Sequence, residues 1–238
     1  MKSRTVLCER FCFYFTDFSH RRDSGFYIAP VCCAYTGGIF MSEINYDVKM
    51  FWTEENRQKY ENAMNHLISK IKSIDDACVK KADMHMIRHI EKRLKTPESI
   101  KEKLKRKNKP GDDIEKELND LAGVRVICFD MRQVYFLVEK IREWDQITVL
   151  KEKDYIAKPK SNGYQSYHMI IVDNGVKVEL QLRTILMDAW SSLETILVYK
   201  KRNLPSKEIL DKIHKFSKWS RKMDQMIEEI YEGKGQKK

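Results

Sequence analysis

The sequence predicts an α+β protein, with a largely antiparallel or mixed sheet and helices packed on it. Three observations support that class. Leu121–Phe129 (LAGVRVICF) is rich in β-branched residues and reads as a buried strand. Tyr167–Val172 and Val176–Arg183 flank Asp173-Asn174-Gly175, whose Asn-Gly step marks a hairpin. Apolar residues recur every three or four positions from Tyr60 to Ile74 and again from Ile209 to Ile230, the spacing of amphipathic helices.

The chain has 238 residues, of which 42 % are apolar and 34 % charged, with a formal net charge of +10. That balance favours an anionic partner: nucleotide, nucleic acid or acidic membrane surface. No apolar run reaches the ~18 residues of a membrane span. Residues 1–40 carry four of the six cysteines (Cys8, Cys12, Cys32 and Cys33), without the paired spacing of a zinc site and without a signal-peptide core. They read as a dispensable extension, with Met41 the expected start and 41–238 a single domain. No disulfide framework is visible, and the cytoplasm is the expected compartment.

From Thr53, a capping hydroxyl followed by Glu54 and Glu55, the chain reads as a helix. A second short helical segment is expected over about 83–91. Thr96-Pro97-Glu98-Ser99 is a further helix start, and the helix it opens ends before Lys109-Pro110-Gly111-Asp112. Val134–Trp144 reads as the helix behind the buried strand, and Ile147–Leu150 as a short strand. In the strand after the hairpin, Val176, Val178, Leu180 and Leu182 alternate with Lys177, Glu179, Gln181 and Arg183, which lines one sheet face with polar groups. Helices are expected at about 184–201 and 206–231. The stripe Ile209, Ile213, Phe216, Ser220, Met223, Ile227, Ile230 of the last fits either the core or a subunit interface.

Four stretches carry chemistry. Residues 88–109 hold ten Lys/Arg against three Glu. Within them Ser99, Lys103 and Arg106 share a helix face, while Arg93 and Lys95 precede the helix N-terminus, where free N–H groups also favour an anion. The set suits a polyphosphate; a solvated basic face is the bland alternative. Asp120 stands at the mouth of the buried strand, where a carboxylate can hold Mg2+ or simply pair with Arg125. Lys153–His168 mixes cations, turn formers and aromatics, as a nucleobase shelf does, or as a surface loop with inward tyrosines does. Glu179 fits a second metal ligand, a general base, or an ion pair with Arg183.

In this order and spacing the stretches resemble the synthetase domain of RelA/SpoT-type alarmone enzymes, specifically the stand-alone small alarmone synthetases. The strings are Arg93-x-Lys95 with Ser99-Ile100-x-x-Lys103; Asp120-x-Ala122-Gly123-x-Arg125; Lys153-Asp154-Tyr155-Ile156 with Lys160-x-Asn162-Gly163-Tyr164-x-Ser166-Tyr167-His168; and Glu179-x-Gln181-x-Arg183-Thr184 with Met187-Asp188-x-Trp190. The resemblance spans about 50–230. It implies a nucleotidyltransferase-like mixed β-sheet wrapped by helices, and transfer of the β,γ-pyrophosphate of ATP to the 3′-hydroxyl of GDP or GTP. It further implies that Arg93 and Arg125 sandwich adenine, and that Lys95, Ser99, Lys103 and Arg106 hold the ATP phosphates. Asp120 and Glu179 would be the catalytic acids and the Mg2+ ligands. Tyr164 would stack on guanine, with Lys160 and His168 near the acceptor phosphates.

Gln165 stands where the family often has Arg, and Thr195 where His is common. No His-Asp dipeptide occurs, so the family's hydrolase half is expected to be absent. A homo-oligomer is expected, a tetramer among its forms, with RNA compatible but not required. Two alternatives stay open: a related pyrophosphokinase acting on tRNA or adenine nucleotides as a toxin, and a non-catalytic nucleotide- or RNA-binding module. The paired acids weigh against the last, since an RNA groove gains nothing from anions.

Overall fold

A computed structural model describes residues 51–109, 111, 113–199 and 205–235. The expected extension 1–40 and the start at Met41 lie outside them. Helix α1 (Glu54–Ala82) begins as expected, with the Thr53 hydroxyl accepting from the Asn56 N–H. Its periodic residues Tyr60, Met64, Leu67 and Ile71 are all buried.

The helix expected over 83–91 is not formed; strand β1 (Ile87–Leu94) stands there. Asp83 adopts a left-handed conformation at φ 50° and ends α1. The Asp75 carboxylate then accepts the backbone N–H groups of Met86 and Ile87, at 2.6 and 3.1 Å, and launches the chain in an extended direction. Pairing with the next strand outweighs local helical spacing.

Helix α2 (Pro97–Lys107) carries Thr96 as cap and Pro97 in its first turn, and buries Ile100 and Leu104. After the single turn α3 (Ile114–Glu117) come β2 (Ala122–Cys128), α4 (Met131–Arg142), β3 (Ile147–Asp154), β4 (Tyr167–Asp173) and β5 (Val176–Thr184). Strand β3 runs four residues past its expected end, with a register irregularity between Val149 and Lys151. Asn174 and Gly175 both take positive φ, which lets a two-residue turn follow the strand twist.

The sheet order is β1-β2-β5-β4-β3. Every neighbouring pair is antiparallel except β2 and β5, which are parallel with Gly123 opposite Glu179 and Arg125 opposite Gln181. All seven residues of β2 are buried, so this strand is covered on both faces. One face is apolar: Ala122, Val124 and Val126 beside Val178, Leu180, Leu182, Met169 and Ile171. Buried apolar rows from α1 and α4 complete that core, including Leu67, Ile71, Val134, Leu137 and Ile141. The other face carries Glu91, Arg93, Arg125, His168, Glu179, Gln181 and Arg183 by strict alternation.

Helix α5 (Ile185–Glu194) starts from the Thr184 hydroxyl cap and continues into a π-helical turn (Thr195–Tyr199). Helix α6 (Lys207–Gly235) lies along α5. The stripe read on α6 divides: Ile213 is buried, whereas Met223 and Ile230 are exposed, and Ser217, Ser220 and Asp224 take the inward positions. Close approach explains the small residues. Gly163 has φ +92°, and a Cβ built there would lie 2.7 Å from the Ser217 Cβ. Among the described residues no helix is long and apolar enough to cross a membrane.

Candidate active site

The donor side begins where β1 hands over to α2. The Lys95 N–H donates to the Leu121 carbonyl at 2.8 Å, and the Trp52 indole N–H donates to the Lys95 carbonyl at 2.8 Å. These bonds hold Lys95 beside the mouth of β2. There Asp120 Oδ2 accepts from Lys95 Nζ at 2.8 Å and meets Lys103 Nζ at 2.7 Å. All three side chains are nearly inaccessible, at 6, 7 and 4 % exposure for Lys95, Asp120 and Lys103. Burial works against the charged carboxylate, yet the two ammonium groups hold its pKa below the usual range. Burial, helped by Lys103, lowers the Lys95 pKa against the pull of Asp120. One anion thus meets two cations in a nearly dry site. Asp120 Oδ1 is buried and has no hydrogen-bond partner. Asp120 therefore pairs with lysines, and the alternative pairing with Arg125 is not made.

Arg93 and Arg125 lie on the polar sheet face as diagonal neighbours, because Arg93 pairs with Gly123 and Glu91 pairs with Arg125. Gly123 contributes no side chain between them. Arg125 donates to Glu91 Oε2 at 3.1 Å. Burial, together with the nearby Arg183 guanidinium, lowers its pKa to about 10. Ser99 stands in the first turn of α2, its hydroxyl accepting from Thr96 Oγ1 at 3.0 Å, and Arg106 is exposed on the last turn.

The acceptor side is the stretch between β3 and β4. Gly163 N–H donates to the Lys160 carbonyl and Lys160 N–H to the Tyr164 carbonyl, which folds the segment into a tight bend. Tyr164 faces inward and is buried against Tyr155, His168 and Trp190, so of the two tyrosine readings the inward one describes this conformation. The Lys160 ammonium lies 4.9 Å from the centre of the Tyr164 ring and 4.5 Å from that of Tyr155. Tyr155, half-buried, carries the more accessible ring.

The Tyr164 hydroxyl closes a ring of bonds. It meets His168 Nε2 at 2.7 Å and accepts from Arg183 Nη2 at 2.7 Å. His168 Nδ1 reaches Glu179 Oε1 at 3.2 Å, Gln181 Nε2 donates to Glu179 Oε2 at 3.1 Å, and Arg183 Nη2 donates to Gln181 Oε1 at 3.0 Å. Burial alone would raise the Tyr164 phenol, but Arg183 and His168 bring it down to about 7. Burial would likewise lower His168, and its anionic neighbours Tyr164 and Glu179 raise it instead. Glu179 thus pairs with His168 and Gln181; the ion pair with Arg183 is not formed.

Asp120 lies two residues before β2 begins, and Glu179 faces Gly123, the second residue of β2, from β5. Asp120 thus stands just ahead of the parallel pair and Glu179 at the fourth residue of β5, each held by its own partners. Among the described residues no group of three or more His, Cys, Asp or Glu could hold a metal. Two carboxylates nonetheless suit Mg2+, which takes the rest of its oxygen shell from water and substrate phosphates. The unpartnered buried Oδ1 of Asp120 is an oxygen of that kind.

The profile of the region found in RelA / SpoT proteins matches residues 92–204. GTP pyrophosphokinase YjbM of Bacillus subtilis is 32 % identical over 180 residues, spanning 72 % of this chain and 84 % of the relative. The chain belongs to the RelA/SpoT family. GTP pyrophosphokinase YwaC of the same organism is 36 % identical over 59 % of this chain and 72 % of its own length. The crystal structure of small alarmone synthetase 1 from B. subtilis, bound to its product pppGpp, superposes with a TM-score of 0.69 at 30 % identity, covering 75 % of this chain and 95 % of that one.

This RelA/SpoT chain has site residues that sequence reasoning left without a role. Glu91 was not singled out, because the segment holding it read as helix. Asp188 enters the sequence only as a motif letter, whereas Gln181 and Arg183 are expected on the polar face of their strand, with Arg183 an alternative partner of Glu179. The alternation from Lys177 to Arg183 puts those two on that face, and the structure adds their bonds to Glu179 and Tyr164.

Proposed function

We infer that the chain is a GTP diphosphokinase. It transfers the β,γ-pyrophosphate of ATP to the 3′-hydroxyl of GDP or GTP and so makes (p)ppGpp. Membership of the family, relatives named GTP pyrophosphokinase and a neighbouring structure holding pppGpp all support this. The observation that carries it is Asp120, buried between Lys95 and Lys103 with one oxygen unspent, two residues ahead of the strand that runs beside Glu179.

In the reaction the acceptor 3′-oxygen bonds to the β-phosphorus of ATP, the bond from that phosphorus to the α,β-bridging oxygen breaks, and AMP leaves. Lys95, Lys103, Ser99 and Arg106 hold the donor phosphates, and Arg93 with Arg125 takes the adenine. Phosphoryl transfer asks the protein mainly to position groups and neutralise charge, and the buried Lys95 and Lys103 with the exposed Arg106 suit both tasks. Mg2+ held by Asp120 and Glu179 would supply further charge neutralisation at the phosphates. Glu179 would also take the 3′-hydroxyl proton, with His168 orienting it. The guanine nucleotide is assigned to Lys160, Tyr164 and His168. Because Tyr164 is buried, a stacked guanine requires this segment to open or the base to stack on Tyr155 first.

Purified protein incubated with Mg2+, labelled ATP and GDP is expected to yield a 3′-pyrophosphorylated guanine nucleotide. Folded protein giving no such product would falsify the assignment, and tRNA or adenine nucleotides offered in competition separate the alternative acceptors. Glu179→Gln is expected to lose synthesis with its thermal transition kept. Asp120→Asn should lose synthesis and stability together, by roughly 3–5 kcal/mol, because it strips the anion from two buried lysines.

A further inference from the structure

Two guanidinium groups are buried on the polar face of the sheet, Arg125 at 5 % and Arg183 at 3 % exposure. Buried like charges repel, and each needs an anion. A single carboxylate oxygen serves both. Arg183 Nη1 donates to Asp188 Oδ1 at 3.2 Å, and Arg125 Nη1 lies 3.6 Å from that same oxygen. Arg125 also reaches back to Glu91, while Arg183 reaches forward to Tyr164 and Gln181. Asp188 sits in the first turn of α5, held by the Thr184 cap. Its side chain is one-quarter exposed, so it stands at the site rather than beneath it.

We propose that Asp188 is a positioning residue that couples the two nucleotides, by anchoring with one oxygen the arginine of the donor-base pocket and the arginine of the acceptor network. This rests on the synthetase reading and deepens it. When adenine draws on Arg125, Asp188 is left more fully to Arg183, which tightens the hold on Tyr164 and the ring leading to Glu179. Guanine nucleotide binding acts on Arg125 by the same route in reverse. Coupling of this kind is reciprocal.

The test is calorimetry on the full chain with a non-hydrolysable ATP analogue and GDP, each titrated with and without the other. Wild type is expected to bind each ligand on the order of tenfold more tightly in the presence of the other. Asp188→Asn should remove that factor, and in an Arg125→Lys background it should change the coupling no further. A role confined to structure would weaken both ligands and leave the factor in place. That result, or a wild type without coupling, overturns the proposal. Should Asp188→Asn fail to fold, Asp188→Glu decides: it keeps the charge but displaces the oxygen, and a wild-type factor there overturns the proposal equally. Coupled binding without product formation would sink the synthetase assignment alone; product formation without coupling would sink the role of Asp188 alone.

Discussion

Tyr164 shows what a single hydroxyl contributes. Its oxygen is the meeting point of His168 and Arg183, both buried. Tyr164→Phe keeps the ring packed on Trp190 but leaves Arg183 Nη2 with Gln181 as its remaining partner in that ring of bonds. The expected cost is about 1–3 kcal/mol in urea unfolding, with the larger loss in acceptor binding. An unchanged midpoint would show that the hydroxyl is not needed to satisfy the guanidinium. The sequence made Tyr164 visible as an aromatic among cations and turn formers. It did not show the ring turned inward, because that depends on Gly163 meeting Ser217 from a helix 54 residues further along. Asp120 was legible as a strand-mouth acid for the same reason Lys95 and Lys103 were legible as cations. Their mutual pairing was not, since it joins a strand end, a helix and a second strand.

At the level of elements, most of what was readable came from caps and periodicity. Thr53, Thr96 and the Asn174-Gly175 turn act where local chemistry says they should. Strand β1 was misread because its formation depends on Asp75 and on β2, neither of which is local. Helix α6 carries a second surprise, the inward Asp224, which accepts from Thr184 Oγ1 at 2.9 Å at the point where β5 becomes α5. Burial, with Glu228 and Asp130 nearby, raises its pKa to about 7. A carboxyl raised in the folded state binds more protons there than in the unfolded chain. Its contribution is therefore full below about pH 4 and is lost as pH rises through 7. Asp224→Asn keeps an acceptor for Thr184 and removes that titration. Its melting temperature should exceed that of wild type at pH 8, and the gap should narrow as pH falls through 7 and close only below about pH 4. A gap independent of pH would refute the linkage.

On the scale of the whole molecule, Trp219, Met223, Met226 and Ile230 of α6 are each more than half exposed, at positions that recur along one helical face. An apolar row of this length in a highly charged chain supports the expected homo-oligomer. Light scattering should give a mass above one 28.4 kDa chain, and the pair Trp219→Asp, Met223→Asp should reduce it. A monomeric wild type would contradict that expectation. The fold class and the sheet content were legible from composition and turns, because those are local. The order of the strands was not: the chain leaves β2, builds two further strands, and only then lays β5 beside it.

The parallel contact between β2 and β5 governs the birth of the protein as well as its final form. Joining residue 123 to residue 179 closes a long loop, an entropic cost that delays such pairings during folding. On the ribosome, a chain not yet made past residue 175 already holds Lys95, Lys103 and Asp120 but lacks Glu179 and Arg183. Until Glu179 and Arg183 are added, the bonded ring around Tyr164 and the proposed base are incomplete, so pyrophosphate transfer is expected only from completed molecules.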